Sequence, residues 1–474
     1  MIHFLLLGIA IALPAVPGWL ALRLLEGQSP VLGRAERIIW AAIAGPTLCM
    51  LVTTVVFWTG LISLNLAGFL IPWLILTIIL FGISWQRGLL TRQSGTLVIF
   101  ASPGKPTKLQ WITLGFLMLW TIIKLGAGAL DLATTPTYWD DSFNNWNMRG
   151  KVFFVTKTLQ PALQGESIQL SSPGGISSYP PNVALTKTWM ATLNGVWDDT
   201  FENSIHVVWF LLLLGAFFWT LRRFSGIIVS LFGVYLLVSM PLVLLHGTNP
   251  YADIFVAMHL LITVSCLLQM AQADDHHSFL RWCLLFGFCS ALLTFTKNEG
   301  TALYLPLCAV AAFWIVWRKI AMRTMTLAQA LRLAAPGIVL FLCVGAPWFL
   351  YKVFNHLSFG NGKYLSDLSL SFHADALKAI IFQLTHEANF LLLPLVIVVT
   401  GIVGWKRIFV LPYSILTFIG LIAVSLQIGI FIFTGLATEA VLQTGLARGM
   451  LHVVPLLLLL VILVWNDAWK RSRQ

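Results

Sequence analysis

The sequence predicts an all-α polytopic membrane protein with about 13 transmembrane helices. Three observations carry that prediction. Hydrophobic residues make up 58% of the 474 residues and charged ones only 10%, where an ordinary soluble chain carries about a quarter charged; mean hydropathy is +0.86. Apolar runs of roughly 20 residues, enough to cross a bilayer, recur along the chain, while the short alternating segments of a barrel strand are absent. Third, the charges sit between these runs and sort by sign.

Taken in order, the first three spans fall near 3–22, 38–60 and 65–84. The first has no basic residue before Arg23 and no small-residue cleavage site, so it is read as a span, not as a signal peptide. A basic loop with Arg87, Arg92, Lys105 and Lys108 follows, and then a fourth span near 111–130. A polar segment, 131–203, carries turn signals at Ser171-Ser172-Pro173-Gly174-Gly175 and Tyr179-Pro180-Pro181. Further spans fall near 205–221, 226–246, 251–271, 282–296, 301–317, 333–352, 388–405, 408–433 and 449–465. The organisation expected is three leading helices and a basic loop (1–110), then a transmembrane module (111–474) with outer segments 131–203, 353–387 and 434–449.

Short loops rich in Lys and Arg mark the cytoplasmic side. Placing loop 85–110 there collects nineteen of the 29 basic residues on that side and thirteen of the 18 acids on the other. The N-terminus is then outside and the C-terminus cytoplasmic. The net charge of +11 therefore reflects topology and argues against nucleic acid as a partner. The six cysteines all lie in apolar runs without zinc-site spacing and read as buried apolar residues. No metal-ligand spacing, Walker loop or dinucleotide fingerprint occurs, so no cofactor is expected.

The acids gather at one place. Asp140-Asp141 follows the fourth span, flanked by Tyr138, Trp139, Phe143 and Trp146, with Arg149 and Lys151 nearby to favour the ionised form. A carboxylate there can act as general base if a hydroxyl reaches it; alternatively it keeps a span end in water. Asp198-Asp199 precedes a span and reads as a helix cap with Thr200 and Glu202. Lys297-Asn298-Glu299 interrupts an apolar region, where charges face a cavity or pair; it reads equally as an interface pair or as a cation for a lipid phosphate. Arg448, before the last span, can hold a phosphate in bidentate fashion or snorkel to headgroups. Asp253 starts a helix and reads more readily as a dipole partner than as a ligand for an acceptor hydroxyl. Lys124, inside the fourth span, is expected to face the bundle or snorkel. His276 and His277, beside Asp274-Asp275, read as solvated.

These stretches, in this order, resemble the GT-C glycosyltransferases, membrane enzymes dependent on polyprenyl-phosphate sugars, and within them the protein-mannosyltransferase-like and aminoarabinose-transferase-like group. The resemblance rests on Trp139-Asp140-Asp141 after a span, Tyr179-Pro180-Pro181, Asn249-Pro250-Tyr251-Ala252-Asp253, Lys297-Asn298-Glu299-Gly300 and the run from Arg448 to Pro455. It departs from the usual pattern in having three spans ahead of the acidic loop. It implies an inverting transfer from a polyprenyl-phosphate-linked sugar to a hydroxyl acceptor on a lipid, glycan or protein, at the periplasmic face of a bacterial inner membrane. By the resemblance, Asp140 is the base and Asp141 orients the acceptor or sugar. Arg448 and Lys297, then Arg149 and Lys352, are the implied donor-phosphate ligands. Asp253, Glu299 and Tyr179 are the implied acceptor or sugar contacts. The alternatives are a transporter or flippase of a lipid-linked glycan, or an O-antigen ligase- or polymerase-like enzyme.

Overall fold

The computed structural model describes residues 2–90, 107–137, 141–159, 179–357 and 370–472, apart from the side chain of Asn144. No strand occurs among the described residues. Ten of their helices are long and apolar enough to cross a membrane, or eleven if one bent pair is counted as a span.

The helices begin where local hydrogen bonding favours it. α1 (Ile2–Glu26), α2 (Arg34–Trp58) and α3 (Leu66–Gln86) form the leading group. α4 (Lys108–Thr134) opens on a capping box in which Thr107 Oγ1 accepts from Gln110 N and Gln110 Oε1 accepts from Thr107 N. The segment after it holds a π-helical turn, Ser142–Asn147, that runs into α5 (Met148–Thr156), and then α6 (Asn182–Asn194). α7 (Asp199–Arg222) is capped as its sequence predicts: Asp198 Oδ1 accepts from Thr200 N at 3.0 Å and Glu202 Oε2 from Asp198 N at 2.7 Å.

The region expected as one span near 226–246 is bent by 82° between α8 (Ile227–Ser239) and α9 (Pro241–Gly247). Pro241 is the cause, since it has no N–H for the preceding turn. α10 (Asp253–Gln272) and α11 (His276–Thr294) follow, then a π-helical turn, Gly300–Tyr304, leading into α12 (Leu305–Ala321), and α13 (Leu327–Phe354). α14 (Ala374–Thr385) is amphipathic. α15 (Leu393–Val403), in the span expected near 388–405, has 11 residues; at 1.5 Å per residue it covers about 16 Å, roughly half the hydrocarbon core. α16 (Tyr413–Phe433), α17 (Ala437–Val441), α18 (Leu446–Leu451) and α19 (Val454–Arg471) complete the chain. α19 is apolar through Val464 and then carries Asp467, Lys470 and Arg471.

Burial ranks the helices. α10 is 94% buried over its apolar window, whereas α4, α13 and α3 are 11%, 17% and 22% buried. α10 is therefore the central helix, and the apolar faces of the other three are left for lipid. The leading helices share the same core. Gly18 and Gly45 let α1 and α2 touch: a Cβ on Gly45 would sit 2.2 Å from the Pro14 carbonyl oxygen, the close approach that small residues permit between membrane helices. α2 reaches α10 through Thr47 Oγ1 and His259 Nε2, 2.9 Å apart, and α6 reaches α1 through Trp189 Nε1, which donates to Ala10 O at 3.1 Å.

At one end of the bundle lie the basic residues: Arg23, Arg37, Arg223 and Arg281 converge with Glu26 and Glu36. α7 and α10 run in the same direction, because Arg223, just past α7, reaches Gln269 near the end of α10. Their N-termini thus share the opposite end, and the acids lie there. Lys124 donates to Ser239 Oγ at 3.2 Å, facing the bundle as expected, and His276 and His277 are exposed. Five cysteines are buried; Cys343 is exposed, because it lies on the outward face of α13, which protein does not cover.

Candidate functional site

The acid end is built around Asp253, the first residue of α10 and 1% exposed. Its position gives it the positive end of the helix dipole, but four side chains do more. Lys297 Nζ donates to Asp253 Oδ1 at 3.0 Å, and His452 Nε2 lies 3.0 Å from the same oxygen. Arg448 Nε donates to Oδ2 at 3.3 Å, with His246 Nδ1 3.2 Å from it. The reading of Asp253 as a dipole partner is therefore too small: it is the hub of a buried ionic cluster.

Local structure explains the convergence. α11 ends at Thr294, which leaves Lys297 on the short connection to the next π-helical turn. Arg448 and His452 are four residues apart and so project from one face of a helical turn. His246 ends the bent α9, one short turn before α10. His452 is fixed from behind: its Nδ1 is 2.9 Å from the Tyr304 hydroxyl, which accepts from Gln427 Nε2 at 3.4 Å.

The cluster opens towards solvent through two carboxylates. Arg448 Nη2 is 2.5 Å from Asp141 Oδ2, and 39% of the Asp141 side chain is exposed. Lys297 Nζ is 3.2 Å from Glu299 Oε1, the ion pair that is one of the two sequence readings of this stretch, and Glu299 is 31% exposed. Glu299 Oε2 is itself buried without a hydrogen-bond partner among the described residues. The Arg448 guanidinium lies over the Tyr251 ring at 4.6 Å. Arg448 thus points inward to two acids instead of outward to the interface.

Burial lowers the Lys297 pKa, but Asp253 and Glu299 outweigh it and hold the ammonium above the ordinary lysine range. Burial acts likewise on Arg448, where Asp253 and Asp141 outweigh it and leave the guanidinium raised. The neighbouring carboxylates thus favour the charged form of both cations. Facing them are three carboxylates, Asp141, Asp253 and Glu299, so this cluster carries no surplus positive charge.

A second set of cations adjoins it. Tyr179 links the two: its ring lies 5.8 Å from Lys297 Nζ and 5.4 Å from the Trp146 ring, and its carbonyl accepts from Arg149 Nη1 at 2.8 Å. Burial, then the Glu299 charge, pushes the Tyr179 hydroxyl up. Lys352 Nζ donates to Asn298 Oδ1 at 2.8 Å, beside Lys297 in the chain. Arg149 is 6% exposed, forms no ion pair with a carboxylate among the described residues, and burial lowers it to about 10.

Of the residues singled out from sequence, Asp141, Asp253, Lys297, Glu299 and Arg448 meet in one cluster, with Tyr179, Arg149 and Lys352 against it. Asp140, with Tyr138 and Trp139, lies outside the described residues. His246, His452, Tyr304 and Gln427 escaped the sequence reading. The four-residue spacing of Arg448 and His452 was the available signal; His246 opens a short polar turn, and Tyr304 and Gln427 sit in apolar runs, where a polar side chain reads as core.

No family model matches the chain, and no curated protein matches it. Two solved structures do. The crystal structure of ArnT from Cupriavidus metallidurans bound to undecaprenyl phosphate superposes with a TM-score of 0.52 at 15% identity, covering 77% of this chain and 62% of that one. The apo structure of the same protein gives 0.50 at 15% identity, over 76% and 62%. The chain has an ArnT-like fold. It spans 62% of the length of the ArnT chain, and at this identity the likeness concerns the fold. The fold brings the stretches at Asp141, Tyr179, Asp253, Lys297 and Arg448, scattered in the sequence, to one end of the bundle.

Proposed function

We propose that this protein is an inverting glycosyltransferase that moves a sugar from a polyprenyl-phosphate-linked donor to a hydroxyl acceptor. The observation that carries the reading is Arg448 bridging the sealed Asp253 and the accessible Asp141, which fixes an acid pair at one end of an ArnT-like fold. The site faces the periplasmic or extracellular side of a bacterial inner membrane, with the C-terminus cytoplasmic; the basic loops at the other end support this orientation.

Asp140 accepts the proton of the acceptor hydroxyl. The hydroxyl oxygen attacks the anomeric carbon from the face opposite the leaving group, the carbon–oxygen bond to phosphate breaks, and polyprenyl phosphate departs with the bonding pair. Asp141, held by Arg448, orients the acceptor or sugar, with Glu299 and Tyr179 lining the same space. The departing phosphate needs stabilising positive charge. Arg448 and Lys297 already face three carboxylates, whereas Arg149 pairs with none among the described residues, so charge balance favours Arg149, with Lys352 beside it, as the main phosphate ligand. The lipid tail lies along apolar helix faces, where each buried CH₂ contributes about 0.8 kcal/mol without selecting the sugar.

The test is transfer by the purified protein in sealed proteoliposomes from a panel of polyprenyl-phosphate sugars, alongside undecaprenyl-phosphate binding. Saturable binding plus transfer that Asp140→Asn abolishes supports the reading. Passage of the lipid-linked glycan across the bilayer without any transfer overturns it in favour of a flippase.

A further inference from the structure

We infer that Lys187 is a positioning residue that closes the base of the acidic loop. Lys187 lies on α6 and is fully buried, 0% exposed. Its ammonium donates to Asn147 Oδ1 and, at 2.7 Å, to Asn203 Oδ1. The two amides then turn back on a single acceptor: Asn203 Nδ2 donates to Thr137 Oγ1 at 2.9 Å and Asn147 Nδ2 to the same oxygen at 3.3 Å. The four side chains form a closed ring. Thr137 precedes Asp140-Asp141 in the chain and Asn147 follows them, so one buried amine ties both flanks of the acidic segment to α6 and α7.

Two further contacts support the clamp. α5 is pressed onto α6: a Cβ at Gly150 would lie 3.1 Å from the Ala184 carbonyl oxygen and 3.3 Å from Lys187 Cβ, and Thr188 Oγ1 donates to Gly150 O at 3.0 Å. Asp199 Oδ1 receives Trp197 Nε1 at 2.5 Å and Asn147 Nδ2 at 3.4 Å, so the start of α7 braces the same corner. A lysine placed only for solubility would reach water. This one spends its donors on two amides whose other hydrogen bonds hold the loop, and burial lowers its pKa to about 7. Protonated or neutral, the amine retains at least two donors.

The effect on the loop follows from this geometry alone; the effect on turnover rests on the proposed transfer reaction. Both are read from Lys187→Met and from Thr137→Val, which removes the shared acceptor and keeps the volume. Hydrogen–deuterium exchange in nanodiscs is expected to speed up about tenfold or more at amides 141–147, with α7 and α10 unchanged, as a local opening requires. Turnover is expected to fall about tenfold or more with the donor KM retained. Unchanged exchange at 141–147 in both variants overturns the inference, as does an increase spread evenly over the bundle. A loosened loop with wild-type turnover removes the positioning role. If the loop loosens but the unsubstituted protein transfers no sugar, the proposed reaction fails and the clamp stands.

Discussion

Two buried carboxylates hold the two ends of this bundle, and they differ in what surrounds them. At the basic end, Glu26 receives Arg37 through Nε at 2.5 Å and Nη2 at 3.2 Å, and the Leu32 and Val31 amides at 2.6 and 2.9 Å. Arg37 and Arg23 spend their remaining donors on the Leu32 and Leu89 carbonyls. These partners are buried except the half-buried Val31 amide, and none of the ion pairs at this end reaches an accessible carboxylate among the described residues. At the acid end, Asp253 has comparable burial and as many partners, but its cations continue to Asp141 and Glu299, which reach solvent. A sealed ion cluster is a staple; one whose ligands are shared with accessible acids is preorganised for chemistry, because its donors are aimed before a substrate arrives.

The largest effect that would break this comparison is kinetic. Asp140→Asn is expected to lower transfer by about 10²- to 10⁴-fold, the range for losing a general base, with donor binding and thermal stability unchanged. Normal turnover would remove Asp140 as the base.

Next come the two hubs. Removing one partner of a buried ion pair costs about 3–5 kcal/mol, so Glu26→Gln and Asp253→Asn should both lower the unfolding temperature. They should part in activity: Glu26→Gln transfers normally per folded molecule, whereas Asp253→Asn also loses transfer, because Arg448 and Lys297 lose their anchor. Equal loss of specific activity in both would erase the distinction drawn between the ends.

Arg149→Ala is a smaller change. A hydrogen bond to a charged group is worth about 1.5–3 kcal/mol, so undecaprenyl-phosphate affinity should fall about 10- to 100-fold by calorimetry. Affinity unchanged by this substitution and lowered by Arg448→Ala would move the phosphate to the Asp253 cluster.

The last test is a pH slope. The Lys187 amine is held at about 7 in the folded chain and returns to 10.5 when exposed. Between those values the unfolded state binds the extra proton, so stability rises with pH across that window and the penalty is complete below 7. Subtracting the Lys187→Met curve from the wild-type curve isolates the slope; parallel curves would contradict the assignment. Asp199 and Glu202, which face this amine, pull its pKa back up and limit the slope.

Much of the fold was legible because hydropathy alone marks apolar helices, and caps such as Asp198 are local. Spans near 226–246 and 388–405 came out bent and short because Pro241 and the length of an apolar helix act below the resolution of a hydropathy window. The site was partly legible. Arg448, Lys297 and Asp253 stood out because charge is costly near a bilayer. Hydropathy does not report which way a helix is rotated, so it could not say that Arg448 turns inward to Asp141, or that His452, His246 and Tyr304 join Asp253. Lys187 was hidden for the same reason: its two amide partners lie 40 and 16 residues away in the chain.

The measurement that tests the central claim most directly is a structure of the protein with undecaprenyl phosphate in nanodiscs. The account expects the phosphate at the acid end, within hydrogen-bond reach of Arg149 or Lys352, and facing Asp141. A phosphate seated among the arginines of the basic end, or a lipid bound without its phosphate near any of these residues, would contradict it.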